Sequence, residues 1–229
     1  MLFLAVFCGF LAEYQLEHKI ERDREKDYMK GMLDDLSEDT IRINEVFGFA
    51  KLMSKGLDSL KQYLYNTNST DKNVHEIYRQ YGMHLRRVSV QFSDQTAIQL
   101  RNSGQLRLVR KKEVTNQISV YWKMTGQIER IQERMELDMN EIALMGDNII
   151  NANFLGVYSE RDSLSGIRFI EVLPGAEIMT KDKNILINLA NKVSRLKRRI
   201  DNFYFNNLSH QKGLAVDLIE LIKKEYHLE

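Results

Sequence analysis

The chain has 229 residues, 43% hydrophobic and 28% charged, enough to bury a sizeable core and too apolar for disorder to be the default. A formal net charge of +1 supplies no global attraction for nucleic acid or an anionic surface, and the lone cysteine, Cys8, excludes an intrachain disulfide and a Cys-based zinc site. One proline, Pro174, and 12 glycines favour long uninterrupted helices over sheet.

The chain opens on an apolar run, MLFLAVFCGFLA, bounded by Met1 and Ala12. It is shorter than the ~20 residues that span a bilayer. It also lacks the basic region and small-residue cleavage site of a secretory signal. Three readings compete: the C-terminal part of a transmembrane helix, a short uncleaved anchor or interfacial helix, and an ordinary buried helix end. Leu2, Phe3, Leu4, Phe7, Phe10 and Leu11 fall on every side of a helix, whereas a core-facing helix keeps a polar face. A membrane anchor over 1–12, with the lipid bilayer as its partner, is therefore expected. Residues 13–28 follow as a charged helical stalk. Opposite charges three apart, such as Glu21 with Arg24 and Arg22 with Glu25, each stabilise a solvated helix by about 0.2–0.5 kcal/mol.

From Met29 apolar residues recur every three, four or seven positions through Leu33, Leu36, Ile43, Phe47, Ala50, Met53, Leu57, Leu60 and Leu64. The spacing predicts one helix from the apolar start to Tyr65, ended by the polar segment 66–71, with Asp71 capping the next. A second helix is predicted over 72–90. The alternation over 88–92 resembles a strand but has no partner nearby. Ser93 or Asp94 can cap a short helix through Arg101, stopped by Asn102, Ser103 and Gly104, with Gly104 left-handed. A third long helix carries Val114, Ile118, Tyr121, Ile128, Ile131, Met135, Met139, Ile142, Met145 and Ile149 to about residue 151. Residues 153–183 read as irregular, with an extended patch at 167–172. The last helix, 182–226, carries Leu186, Leu189, Val193, Leu196, Ile200, Phe203, Leu214, Leu218 and Leu221, with Gly213 as a bend.

Three long and two short helices predict an all-α fold: an elongated antiparallel bundle over 29–229, coiled-coil-like in its packing, whose first helix is continuous with the anchor. The methionines near the stripes read as core filling.

No catalytic constellation is present: no G-x-S-x-G, H-E-x-x-H, phosphate-binding glycine loop or CxxC. Catalytic residues, cofactor and metal are all expected to be none, and nucleic acid is not an expected partner. The acidic clusters Asp34, Asp35, Glu38, Asp39 and Glu133, Glu136, Asp138, Glu141 read as solvated faces. Two basic clusters stand out. Arg101, Arg107, Arg110, Lys111 and Lys112 form a candidate contact for an anion or a partner, beside the turn at Ser103 and Gly104. Arg195, Lys197, Arg198 and Arg199 form the second. Either can instead pair with the acidic clusters across the bundle.

The chain resembles an uncharacterised family of bacterial membrane-anchored helical proteins. The resemblance lies in the apolar-to-charged start, in the central run Leu100-Arg101-Asn102-Ser103-Gly104-Gln105-Leu106-Arg107-Leu108-Val109 before Lys112-Glu113 and Tyr121, and in the final segments LINLANKVSRLKRRIDNF and LIELIKKEYHL. It implies one N-terminal transmembrane helix, a helical domain outside the cytoplasm and no enzyme activity. The functional expectation is a non-enzymatic interaction or scaffolding domain of the cell envelope, binding a protein partner or a second copy. The alternative is an extracytoplasmic sensory domain that binds a small ligand where 153–183 meets 101–109.

Overall fold

A computed structural model of the protein describes residues 2–66, 71–84, 89–102, 104–158 and 170–228. It is 83% helical, which makes the chain all-α as a class. Helix α1 spans Leu2–Tyr65, α2 Asp71–His84, α3 Gln95–Asn102 and α4 Lys112–Gly146. A short hairpin of β1 (Leu155–Tyr158) and β2 (Ile170–Val172) follows, then α5 (Lys183–Asn202), a π-helical stretch Phe203–Leu208, and α6 (Ser209–Tyr226).

The chain packs as two compact units. The first comprises Met1–Ile43, Val90–Gly126 and His210–Glu229, and the second Asn44–Ser89 and Gln127–Ser209. The sequence treats 29–229 as one bundle because the apolar stripes of α1 and α4 run on without a break.

In the first unit Met29, Met32 and Leu36 of α1 meet Leu100 of α3, Val114, Ile118 and Tyr121 of α4, and Ala215, Leu218 and Ile222 of α6. Each large apolar side chain removed from water contributes about 1.5–3 kcal/mol. Gly104 takes φ 63°, and its N–H donates to the Arg101 carbonyl at 3.3 Å where α3 stops. Ser103 lies outside the described residues.

In the second unit Met53, Leu57, Leu60 and Leu64 of α1, Ile77 and Tyr78 of α2, and Leu186, Leu189, Val193 and Leu196 of α5 are buried. The Tyr78 hydroxyl donates to the Glu177 carbonyl at 2.8 Å and accepts from the Asn151 N–H at 2.9 Å, so one ring ties α2 to both flanks of the hairpin. β1 and β2 pair antiparallel, Leu155 opposite Val172 and Tyr158 opposite Ile170, with an irregular register between. A Cβ on Gly82 would lie 2.9 Å from the Ile170 side chain, so glycine there lets α2 approach β2.

Several expectations are corrected. Residues 89–94 are non-helical, so the second helix does not reach Val90; no strand forms at 89–92 either. Helix α4 stops at Gly146, five residues before the expected end, where a Cβ would lie 2.1 Å from the Tyr81 ring. Part of the irregular segment is the β-hairpin. Helix α6 passes through Gly213, and the irregularity lies ten residues earlier, in the π turn. Leu214 and Leu221 are only partly buried; Leu208, Gln211, Ala215, Leu218 and Ile222 form the buried face. Up to Ile200 the stripe keeps a seven-residue repeat, Leu186–Val193–Ile200, and then resumes one residue late at Leu208. The π turn absorbs that extra residue because its hydrogen bonds close at i→i+5.

Among the described residues no helix is long and apolar enough to cross a membrane, so the transmembrane part of the expected fold is not supported. Near the start of α1, Val6, Phe7, Phe10, Leu11, Tyr14, Leu16 and Ile20 are nonetheless exposed, Phe10 at 68%.

Candidate functional site

The first basic cluster is largely spent on its own unit. The Arg101 guanidinium lies 4.3 Å over the Trp122 ring. Arg110 Nη2 reaches Glu21 Oε2 at 2.9 Å, and the Arg110 backbone N–H donates to Glu25 Oε1 at 2.7 Å. The Tyr226 hydroxyl donates to the same oxygen at 2.6 Å. Glu25 is thus buried within a stretch expected to be a solvated stalk. Lys111 Nζ pairs with Glu225 at 2.9 Å and holds that carboxyl below its usual range. Arg107 and Lys112 are exposed without an ion pair among the described residues.

The acidic cluster on α1 is not simply a solvated face. Asp39 is fully buried; its Oδ1 accepts from the Ser93 N–H at 2.7 Å and its Oδ2 from the Tyr121 hydroxyl at 2.5 Å. Burial pushes the Asp39 carboxyl up, against the pull of those two hydrogen bonds, and burial with Asp39 beside it pushes the Tyr121 hydroxyl up. Asp35 accepts from the Thr96 N–H at 3.0 Å, so the first turn of α3 is capped from another helix rather than by the Ser93 or Asp94 side chain. Glu38 takes the Ser93 hydroxyl at 2.9 Å and Arg42 at 2.6 Å, and both lower its pKa. Together these groups pin residues 91–96 to α1.

The second basic cluster also pairs with carboxylates. Lys197 sits between Asp201 at 2.6 Å and Asp58 at 3.3 Å, which raise its pKa. Burial alone would raise Asp58, yet Lys61 and Lys197 hold it low. Arg199 pairs with Asp138, and Lys192 with Glu141. Arg195 and Arg198 remain exposed.

Two arginines outside both sequence clusters, Arg130 and Arg134, share a groove with Arg199 of the second. On α4, Gln127, Arg130, Ile131 and Arg134 lie three or four apart and form one wall of an open groove of about 470 Å³. Arg199, Asn202, Phe203 and Asn207, at the end of α5 and in the π turn, form the other. Arg130 and Arg134 are exposed, with no ion pair among the described residues. Like charges at this spacing oppose the helix by about 0.2–0.5 kcal/mol. Among the described residues no carboxylate lines the groove. The π turn sets one wall: an uninterrupted repeat from Leu186, Val193 and Ile200 would put Asn207 in the core, whereas the slip seats Leu208 there and leaves Asn207 half-buried beside it. The Asn207 Oδ1 atom is buried with no hydrogen-bond partner. The sequence signals for this site were the Arg130/Arg134 spacing and the one-residue slip between Ile200 and Leu208.

A second open groove, about 410 Å³, lies between His75 and residues 172–177. It falls in the segment expected to bind a small ligand; the other expected half, 101–109, belongs to the other compact unit. Among the described residues no group of three or more His, Cys, Asp or Glu side chains can hold a metal ion. No family model matches the chain, no curated protein matches it, and no solved structure matches its fold.

Proposed function

We propose that this chain is a membrane-anchored, non-enzymatic helical protein of a bacterial cell envelope, with its bulk outside the cytoplasm, where it serves protein–protein interaction or scaffolding. The observation that carries the reading is the start of α1. Its sequence is apolar on every side of the helix, and Val6, Phe7, Phe10 and Leu11 are exposed. A helix apolar all round is matched by lipid or by a partner, not by water. Twelve residues of helix reach about 18 Å, enough to enter one leaflet of a hydrocarbon core ~30 Å thick. The resemblance of the apolar-to-charged start and of the 100–109 segment to bacterial membrane-anchored proteins favours the same reading.

The test compares the full chain with a version lacking residues 1–12. The full chain is expected in the membrane fraction and released only by detergent, and the shortened chain in the supernatant. Equal fractionation of the two sinks the anchor. Chemical crosslinking in membranes then reads out the partner or a second copy; a chain that stays monomeric at all densities counts against scaffolding.

The second reading, a sensory domain for a small ligand, is favoured by the groove beside His75 and the hairpin flank 172–177. A metabolite melting screen that shifts the midpoint for no compound removes it.

A further inference from the structure

We propose that the groove between α4 and the α5–π segment is a binding site for a phosphomonoester carried by a hydroxyl-rich small molecule, such as a sugar or polyol phosphate. The proposal stands apart from the membrane reading and concerns the second compact unit alone.

Charge selects the head group. Arg130 and Arg134 bring to one wall two guanidinium groups without an ion pair among the described residues, and no described carboxylate lines the groove to neutralise them. A phosphomonoester carries close to two negative charges at neutral pH and matches that pair, whereas a carboxylate answers only one. Guanidinium forks suit the spread of phosphate oxygens. Arg199 is placed opposite by its bond to Asp138, which takes one guanidinium nitrogen and leaves further donors.

The rest of the lining selects the body of the ligand. Gln127, Asn202 and Asn207 give three amides, each able to donate and to accept, the pattern that hydroxyl groups satisfy. Ile131 supplies a small apolar surface. A volume of about 470 Å³ lies within the range of small-molecule sites. The unpaired Asn207 Oδ1 is the remaining sign of a built site. A buried amide oxygen without a donor is costly, and a ligand hydroxyl that draws the amide outward supplies one. The π turn adds to the case, since such turns inside α-helices recur at functional sites.

The same head group occurs free and on phosphatidic acid, so the test has two arms. Titration calorimetry of the full chain in detergent with glucose 6-phosphate, with glucose and inorganic phosphate alongside, reads the soluble source. Flotation with vesicles of phosphatidylcholine with and without phosphatidic acid reads the lipid source; attachment through α1 is common to both vesicle types and cancels. Glucose 6-phosphate is expected to bind, glucose not at all, and inorganic phosphate more weakly. The double variant Arg130→Gln/Arg134→Gln is expected to weaken binding tenfold or more. Both positions are exposed, so the variant keeps its helicity by circular dichroism. Arg198→Gln, an exposed arginine outside the groove, is expected to leave binding unchanged. Extra flotation with phosphatidic acid that the double variant abolishes, with no binding of glucose 6-phosphate, keeps the head group but overturns the soluble ligand. No binding in either arm, binding the double variant retains, or an equal loss in Arg198→Gln overturns the site.

Discussion

One buried carboxylate on α1, Asp39, ties three parts of the first unit together. Asp39 accepts two hydrogen bonds, from the Ser93 N–H and the Tyr121 hydroxyl, and so joins α1, the segment before α3, and α4. Asp39→Ala leaves the buried Tyr121 hydroxyl and the partly buried Ser93 N–H without their acceptor, at about 1–3 kcal/mol for the buried donor and less for the other, and its urea midpoint is expected to fall accordingly. Asp39→Asn behaves differently. Burial raises the native pKa of Asp39, so over the interval above the unfolded value of about 3.9 the native state holds a proton that the unfolded chain has released. That contribution to stability is complete below the unfolded value and is lost as pH rises through the raised native one. Asparagine never ionises and keeps an acceptor for Ser93. Asp39→Asn is therefore expected to equal or exceed the wild type at pH 7, with the difference shrinking towards pH 4. A difference that instead grows as pH falls would show that the hydrogen bonds outweigh the burial. Periodicity already marks the position: Asp39 lies three residues after Leu36 and four before Ile43, on the apolar stripe that exposed Asp34 is off, whereas its partners, which come with the return of residues 91–96 onto α1 and with Tyr121, do not show in the spacing. A second residue-scale constraint sits at Gly146, whose missing Cβ makes room for the Tyr81 ring; that ring is fixed because its hydroxyl donates to the Ala143 carbonyl at 2.8 Å. Gly146→Ala is expected to cost about 1–3 kcal/mol by overpacking, read from thermal or urea melts.

Among the elements, the run α5–π–α6 shows how the sequence encodes a local departure from the α-helix. Its apolar residues follow a seven-residue repeat to Ile200 and the same repeat, displaced by one, from Leu208 through Ala215 to Ile222. A strict repeat carried past Ile200 arrives at Asn207, Leu214 and Leu221, which is why those leucines look like core from sequence alone. The slip was legible, because one added residue between two in-phase stripes is what a π turn accommodates. Gly213 lies inside the continuous α6, where glycine costs about 1 kcal/mol without bending the helix. A deletion separates the two accounts. Removing exposed Asn206 makes Leu208 the seventh residue after Ile200, so the stripe becomes continuous in an ordinary α-helix. That variant is expected to keep its helicity by circular dichroism and to stay within about 1 kcal/mol of the parent, as exposed changes usually do. Removing exposed Arg195 turns one side of the stripe about 100° out of phase; it displaces residues such as Leu196 and Ile200, where loss of one large side chain alone costs about 2–5 kcal/mol. Equal damage from the two deletions would show that the π turn is not the carrier of the slip.

For the whole molecule, the sequence conveyed class better than organisation. Helical periodicity and the shortage of proline gave the all-α class. The division into two units left no mark, because the stripe of α1 runs through Leu36, Ile43, Ala50 and Leu57 at unchanged spacing while the chain passes from one unit to the other. The hairpin was half visible, as an extended patch without a partner, since the strand that pairs with it is four residues long. Four of the nine side chains in the two basic clusters, Arg110, Lys111, Lys197 and Arg199, pair with carboxylates inside their own unit, and the start of α1 carries a run of exposed apolar side chains. Attachment to a membrane through that start has a definite physical signature. Its driving force is apolar, because residues 13–27 carry no excess of positive charge. The full chain is therefore expected to float with phosphatidylcholine vesicles, to do so equally at low and at 0.5 M salt (roughly a 4–5 Å screening length), and to gain little from added phosphatidylglycerol. Phe10→Glu with Leu11→Glu removes two apolar anchors worth about 1.5–3 kcal/mol each, so partition onto vesicles is expected to fall a hundredfold or more. Both side chains are exposed, at 68% and 46%, so the melting temperature in detergent should not move. A fall in melting temperature with the double variant would identify a protein surface, not lipid, as what covers this end of α1. Flotation that salt abolishes would mean that charge, not apolar contact, holds the chain at the bilayer.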